Sequence, residues 1–295
     1  MNEPSITVVL PLYNHEHYIK ATLESVLRQT SPATEIILVD DGSTDKGFSI
    51  AEKILANHSE TKLVTQINSG AHTAINNAIS IAHCEYIAIL NTDDLFFPTK
   101  LERCRWLIRN NPTIEFIAGG VQIIDKHCMP VNEGETVEWL HRAISYQREC
   151  ASLDIGLLNE NYVVTTSNMV FTKDLWYRVD GFQHLRYCHD LDFIHAALGK
   201  GTVMIDIAEP HIKYRIHPTN TIKENIEKIR LEVAAVTANF LHENGKRLFI
   251  EKNVERLISI INAKNDSGYL SLLLSLRNIC SCRKEYYERV NSLNI

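Results

Sequence analysis

Over the first hundred residues, short apolar runs alternate with amphipathic ones. Residues 5–12 (SITVVLPL), 35–39 (EIILV), 62–67 (KLVTQI) and 85–90 (EYIAIL) are short and β-rich, as strands covered on both faces are. Between them Ile19, Leu23, Val26 and Leu27 recur at helical spacing, and so do Ile75, Ala78, Ile79 and Ala82. Strand, helix, strand, helix predicts a parallel sheet joined by right-handed crossovers, an α/β half-domain of nucleotide-binding type.

Beyond residue 100 the pattern is mixed. Residues 114–124 (IEFIAGGVQII) and 203–207 (VMIDI) read as strands and 163–171 (VVTTSNMVF) as another, whereas 126–160 is polar and reads as irregular. From residue 222 to the end the pattern is helical and charged, with Ile226, Ile229, Val233 and Val236, then Val254, Leu257, Ile258 and Ile261 on apolar stripes. Residues 265–268 (NDSG) read as a break. The stretch 268–284 (GYLSLLLSLRNICSCRK) is strongly apolar with basic neighbours. Packing on the main domain, self-association and shallow membrane contact compete for it, in that order.

In open α/β sheets, ligands bind beyond the carboxyl ends of the strands. Here those ends carry Tyr13-Asn14, Asp40-Asp41-Gly42-Ser43, Asn68-Ser69-Gly70 and Asn91-Thr92-Asp93-Asp94. Each cluster alone is ordinary turn chemistry, but four on one edge, two of them with paired acids, favour a binding site. Neither a GxGxxG nor a GxxxxGK[ST] loop is present to hold phosphate, and 199–202 (GKGT) is too short to be one. Adjacent carboxylates would repel a diphosphate unless a divalent cation lay between, so Asp93 and Asp94 point to a Mg²⁺ or Mn²⁺ site completed by water and phosphate oxygens.

Composition narrows the classes. The 295 residues are 45% hydrophobic, enough for a large core in one large domain or two small ones. A net charge of −6 gives no general attraction to nucleic acid or anionic lipid. The seven cysteines are scattered without a CxxC pair, as reduced cytosolic thiols are. No secretory leader is expected, and no apolar stretch approaches the ~20 residues of a bilayer span. The expectation is a cytoplasmic protein, at most peripheral at the inner face of a membrane.

The segments PLYNHEHYIKATLESVLRQT, EIILVDDGSTD, NSGAHTAINNAISIAHCEYIAILNTDDL and GFQHLRYCHDLDF resemble, in order and spacing, the landmarks of the inverting family 2 glycosyltransferases, which have the GT-A fold. The resemblance covers roughly residues 5–220. It implies a Rossmann-like sheet with helices on both faces over 1–221, divided into a nucleotide-sugar-binding half (1–99) and an acceptor-binding half (100–221), with a helical extension over 222–295. It implies that Pro11, Tyr13 and Asp40 or Asp41 line the base pocket, beside Asn68 and Gly70 of the same edge. Asp93 would face the ribose and Asp94 would bind the metal, with Asp93 as a further ligand. Asp190 matches the catalytic base, chosen over Asp192, which would support the loop or cap the following helix. His217 would complete the metal shell or touch the diphosphate, and Arg215 would touch the same phosphates. Asn91 stands where the family often has an acid, and His189 where an acid commonly precedes the base. The QxxRW motif of processive members is absent; Glu102-Arg103-Cys104-Arg105-Trp106 only imitates it.

These residue types suit displacement at an anomeric carbon, with a carboxylate to take the acceptor's proton and a metal to carry charge on the leaving diphosphate. The expected partners are a nucleotide-diphosphate sugar donor and a glycan or lipid-linked acceptor, with transfer of one sugar per encounter in bacterial surface-polysaccharide synthesis. Two rivals are a sugar nucleotidyltransferase, which would ordinarily need a glycine-rich basic loop where PLYNHEHYIK stands, and a non-catalytic sugar-nucleotide-binding subunit. Eleven histidines other than His217 and His189, His15 among them, show no ligand spacing and read as packing or surface residues.

Overall fold

The computed structural model describes residues 3–218, 220–221, 224–249, 251–264 and 267–293. The chain divides into two compact units, the first comprising Met1–Asn132, Val163–Phe182 and Lys200–His217, the second Glu133–Tyr162, Gln183–Gly199 and Pro218–Ile295.

The first unit is built on one eight-stranded sheet. Its strands are β1 (Ile6–Leu12), β2 (Glu35–Asp40), β3 (Thr61–Thr65), β4 (Tyr86–Ile89), β5 (Leu95–Phe96), β6 (Phe116–Ile124), β7 (Val170–Thr172) and β8 (Val203–Arg215), in the order β3-β2-β1-β4-β7-β6-β8-β5. The strands β1 to β4 pair in parallel, β3 on β2, β2 on β1 and β1 on β4. They are joined by α1 (Ile19–Leu27), α2 (Gly47–Leu55) and α3 (Ala71–Ile81). Every residue of β1 and β2 is buried, as expected of strands covered on both faces. Ile19, Leu23 and Val26 of α1 and Ile75, Ala78 and Ile79 of α3 form the buried faces of their helices.

Past β4 the sheet becomes mixed. β7 runs antiparallel to β4 and β6, β5 antiparallel to β8, and β6 parallel to β8. The helices α4 (Lys100–Asn110) and α7 (Lys173–Arg178) complete this unit. The β6–β8 register shifts around Gly119 and Gly120. A Cβ on Gly119 would come within 2.1 Å of the His211 ring, so only glycine lets β8 pass there.

The second unit is helical. It contains α5 (Glu135–Cys150), α6 (Leu153–Asn159), α8 (His189–Lys200), α9 (Ile226–Leu248), α10 (Glu251–Ala263), α11 (Ser267–Ile279) and α12 (Arg283–Asn291). α9 packs against α11 and α12, and its buried Phe240 ring stacks on His195 at 4.2 Å between centroids. Among the described residues, no helix is long and apolar enough to cross a membrane. All seven cysteines are unbridged.

The GT-A type of α/β sheet with a helical C-terminal region is what the sequence predicts, with local exceptions. The run 163–171 is not one strand: residues Thr166–Asn168 form a 3-10 turn and the strand begins only at Val170. The stretch 126–160 is not irregular, because α5 and α6 lie within it. α5 buries only Val137, Leu140, Ala143 and Cys150, too sparse a stripe to stand out among its Glu, His, Arg and Gln neighbours. Asn265 and Asp266 of the expected break lie outside the described residues, as do Ile222 and Lys223.

Candidate active site

The carboxyl ends of β1, β2 and β4 bring the acidic clusters of the first unit to one edge. Asp41 is buried and fully committed to the chain after β3. One carboxylate oxygen accepts from the Gln66 side chain (2.8 Å) and the Ser69 backbone N–H (2.8 Å), the other from the Gly70 N–H (2.8 Å). Asp40, also buried, receives only long bonds from the Ser43 N–H at 3.3 and 3.4 Å. Between them and Asn68, Gly42 holds φ +72°, and a Cβ there would stand 3.0 Å from the Asn68 nitrogen. Tyr13, just past β1, is 44% exposed. The Pro11 carbonyl accepts from the Thr92 hydroxyl at 3.1 Å.

After β4 the chain turns, the Asp94 N–H donating to the Asn91 carbonyl at 3.0 Å. The two acids of this turn face different surroundings. Asp94 is 1% exposed, and its carboxylate accepts from the Ser167 hydroxyl (2.6 Å) and the Arg215 backbone N–H (2.9 Å). Asp93 lies with one oxygen 3.1 Å from His217 Nε2 and 4.0 Å from His15 Nε2. The Thr92 hydroxyl gives its only hydrogen to Pro11, so its 2.8 Å contact with His15 Nδ1 is donated by the imidazole.

Electrostatics separate the pair further. Burial opposes ionisation of Asp93, but the hydrogen bond to His217 and the charges of His15 and His217 outweigh it and hold the carboxyl below its ordinary range. For Asp94, burial and then the charge of Asp93 push the carboxyl well above that range, partly offset by Ser167 and Arg215.

β8 delivers Arg215 and, two residues on, His217. Arg215 is buried, with Nε donating to the Asp93 carbonyl (2.6 Å), Nη1 to the Asp125 carbonyl (3.0 Å), and the guanidinium 4.9 Å from the Tyr18 ring centroid. Its charge thus braces the Asp93-Asp94 turn from within. The Tyr18 ring also lies 5.1 Å from the His217 ring.

Three contributors to this edge were not picked out from the sequence. His15 stands in an ordinary loop, and no ligand spacing marks it. Ser167 is buried and holds Asp94, while Asn91 bonds Thr165 and Thr166 of the same turn. Lys100 is fully buried beneath that turn, its ammonium donating to the Ser167 carbonyl at 2.7 Å. Burial drives its pKa down to about 7 against the opposing charges of Cys104 and Asp94.

Two adjacent carboxylates with an imidazole nitrogen 3.1 Å from one of them form an oxygen and nitrogen donor set that suits Mn²⁺ or Mg²⁺. Among the described residues, no three or more His, Cys, Asp or Glu side chains form a metal-binding cluster. An ion here would therefore draw the rest of its shell from water and phosphate oxygens.

In the second unit, Asp190 occupies the first turn of α8. It accepts from the Asn161 side chain (3.1 Å) and the Leu191 N–H (2.7 Å). Enclosure by surrounding atoms, with the charge of Glu232 added, raises its pKa to about 7 despite those bonds. Asp192 is buried and accepts from the Tyr287 hydroxyl at 2.6 Å, with Arg283 Nη1 3.4 Å away. That is a supporting position.

The first unit's sheet, with acids at the carboxyl ends of its parallel strands, is that of a GT-A glycosyltransferase. Residues 7–143 match the family model described as glycosyl transferase family 2, so this stretch of the chain is similar to that family. An uncharacterized glycosyltransferase of Rickettsia typhi is 27% identical over 254 residues, covering 84% of this chain and 74% of its own length. The chondroitin synthase of Escherichia coli is 28% identical over 179 residues, covering 61% of this chain but only 24% of the synthase. Among solved structures, residues 1–349 of Staphylococcus aureus TarS in complex with UDP-GlcNAc match with a TM-score of 0.61 at 17% identity, over 92% of this chain and 84% of that one.

Proposed function

We propose that this protein is a metal-dependent, inverting, non-processive glycosyltransferase. It moves one sugar from a nucleotide-diphosphate sugar to a hydroxyl of a glycan or lipid-linked acceptor, in the assembly of bacterial surface polysaccharide. The observation that carries this reading is the Asp93–His217 pair at 3.1 Å, set at a strand end beside the buried Asp94.

Asp93 and His217 would hold the divalent ion. Asp94, whose two oxygens are taken by Ser167 and Arg215, fixes the turn that presents Asp93. Relative to an assignment with Asp94 as principal ligand, the exposure and partners of the two acids favour Asp93. When bound, the ion supplies Lewis-acid stabilisation of the leaving diphosphate. Asp40, only weakly engaged by the protein, is the acid available to the nucleotide, with Pro11 and Tyr13 beside it, and Asp41 holds the Asn68–Gly70 loop in shape. Asp190 takes the proton of the attacking hydroxyl, and a pKa near 7 suits a base that must accept a proton at neutral pH. In this reading residues 1–221 form the glycosyltransferase domain and 222–295 its helical extension.

UDP-GlcNAc, bound in the TarS complex, is the first donor to test. Titration calorimetry with UDP and UDP-GlcNAc, with Mn²⁺ and with EDTA, should show binding that depends on the metal. Equal affinity in EDTA would sink the metal-dependent reading.

A further inference from the structure

The C-terminal helices hold the segment that carries Asp190. Glu232, in the second turn of α9, is buried, and its carboxylate accepts three consecutive backbone N–H groups: Arg186 at 2.9 Å, Tyr187 at 2.7 Å and Cys188 at 2.9 Å. These are the last residues before α8, whose second residue is Asp190. A single carboxylate bridging three successive amides fixes the backbone of all three at once, in the segment that leads directly into α8. α12 makes a second clamp two residues past Asp190, where the Tyr287 hydroxyl donates to Asp192 at 2.6 Å and Arg283 lies 3.4 Å from its other oxygen. Asp190 thus sits between two points pinned by helices from the far end of the chain.

We propose that Glu232 is a positioning residue for Asp190: α9, assisted by α12 through Tyr287, sets the backbone from which the base reaches the acceptor. The proposal rests on the assignment of Asp190 as base, and it gives the C-terminal extension a catalytic purpose beyond packing. The chemistry of the contact fits a fixed support better than a hinge. Three charge-assisted bonds from one buried group must all break for the loop to move, and the buried Cys188 N–H would then lie in a water-poor setting.

The test compares Glu232→Gln, Tyr287→Phe, Asp190→Asn and the double variant Glu232→Gln/Asp190→Asn in the full chain, with UDP-GlcNAc and Mn²⁺ as probe. An amide cannot satisfy three donors as a carboxylate does, so Glu232→Gln should lower kcat by about 10- to 100-fold, the scale of a misplaced catalytic group, with the donor KM nearly unchanged. In the Asp190→Asn background the same change should cost nothing further, because the positioned group is already gone. Hydrogen exchange of the ligand-free protein over residues 184–192 should be faster in Glu232→Gln. If Glu232→Gln does not fold, Tyr287→Phe, which deletes one hydroxyl, should lower kcat with KM unchanged and carries the test alone. Normal turnover of Asp190→Asn would bring down the base assignment itself. Normal turnover and unchanged exchange in Glu232→Gln, beside an inactive Asp190→Asn, would bring down the positioning role alone.

Discussion

His217 Nε2 and a carboxylate oxygen of Asp93 lie 3.1 Å apart, joining the end of β8 to the turn after β4 across 124 positions of sequence. Apart from a metal, the pair is a hydrogen bond. With one, the same two atoms can turn to a shared ion. His217→Ala should therefore weaken Mn²⁺ binding by about 10- to 100-fold, the range seen when a ligand or its close support is lost. Electron paramagnetic resonance of free Mn²⁺ in the presence of UDP measures it directly. Unchanged affinity would remove His217 from the site.

Asp94 should fail differently. Cutting it to Ala strips partners from the Ser167 hydroxyl and the Arg215 N–H, both buried, at ~1–3 kcal/mol for each donor left unsatisfied. Asp94→Ala should lose several degrees of thermal stability as well as metal-dependent nucleotide binding, whereas Asp93→Asn should lose the binding with little change in melting. Differential scanning fluorimetry beside calorimetry separates the two. An Asp94→Ala variant as stable as wild type would mean that the turn does not depend on this carboxylate.

The sequence made the first hundred residues legible because each parallel strand is buried on both faces and leaves an unbroken apolar run, with polar turns marking the binding edge. β5 is two residues long and carries no periodic signal. The four acids at the edge were visible as pairs, but not the division of labour within each pair. That division depends on Ser167, 73 residues from Asp94, and on the Gln66, Ser69 and Gly70 donors around Asp41. Glu232 was hidden for a related reason. Its partners are backbone amides 44 to 46 residues away, and backbone amides leave no imprint on residue type.

The unequal pair at β2 gives a third prediction. Asp41→Ala removes the acceptor for three donors and should loosen residues 66–70, whereas Asp40→Ala removes only the long contacts to Ser43. Hydrogen exchange over 66–70 should accelerate in Asp41→Ala alone. Both variants should raise the KM for donor, Asp41→Ala through disorder of the loop and Asp40→Ala through loss of a contact. If Asp40→Ala binds UDP as tightly as wild type, the base pocket does not use that acid.

Asp190 carries the prediction with the clearest sign. Its carboxyl is raised from 3.8 to about 7, first by enclosure and then by the charge of Glu232. As a base it must be ionised, so kcat/KM should climb with pH through about 7 and level off above it. Asp190→Asn should lose that limb along with ~10²- to 10⁴-fold of turnover, with donor affinity retained. Stability should run the opposite way. A carboxyl that holds its proton more tightly folded than unfolded contributes stability that is complete below the unfolded value near 4 and is lost as pH rises through about 7. Above pH 7 the folded protein must keep an unfavourable charge in that enclosure, and Asn has none. Asp190→Asn should therefore melt above wild type at pH 8, by about 2–4 °C for each kcal/mol relieved, and should lose that advantage by pH 5. Thermal unfolding at the two pH values decides it: a difference that does not change between them would place the titrating group elsewhere.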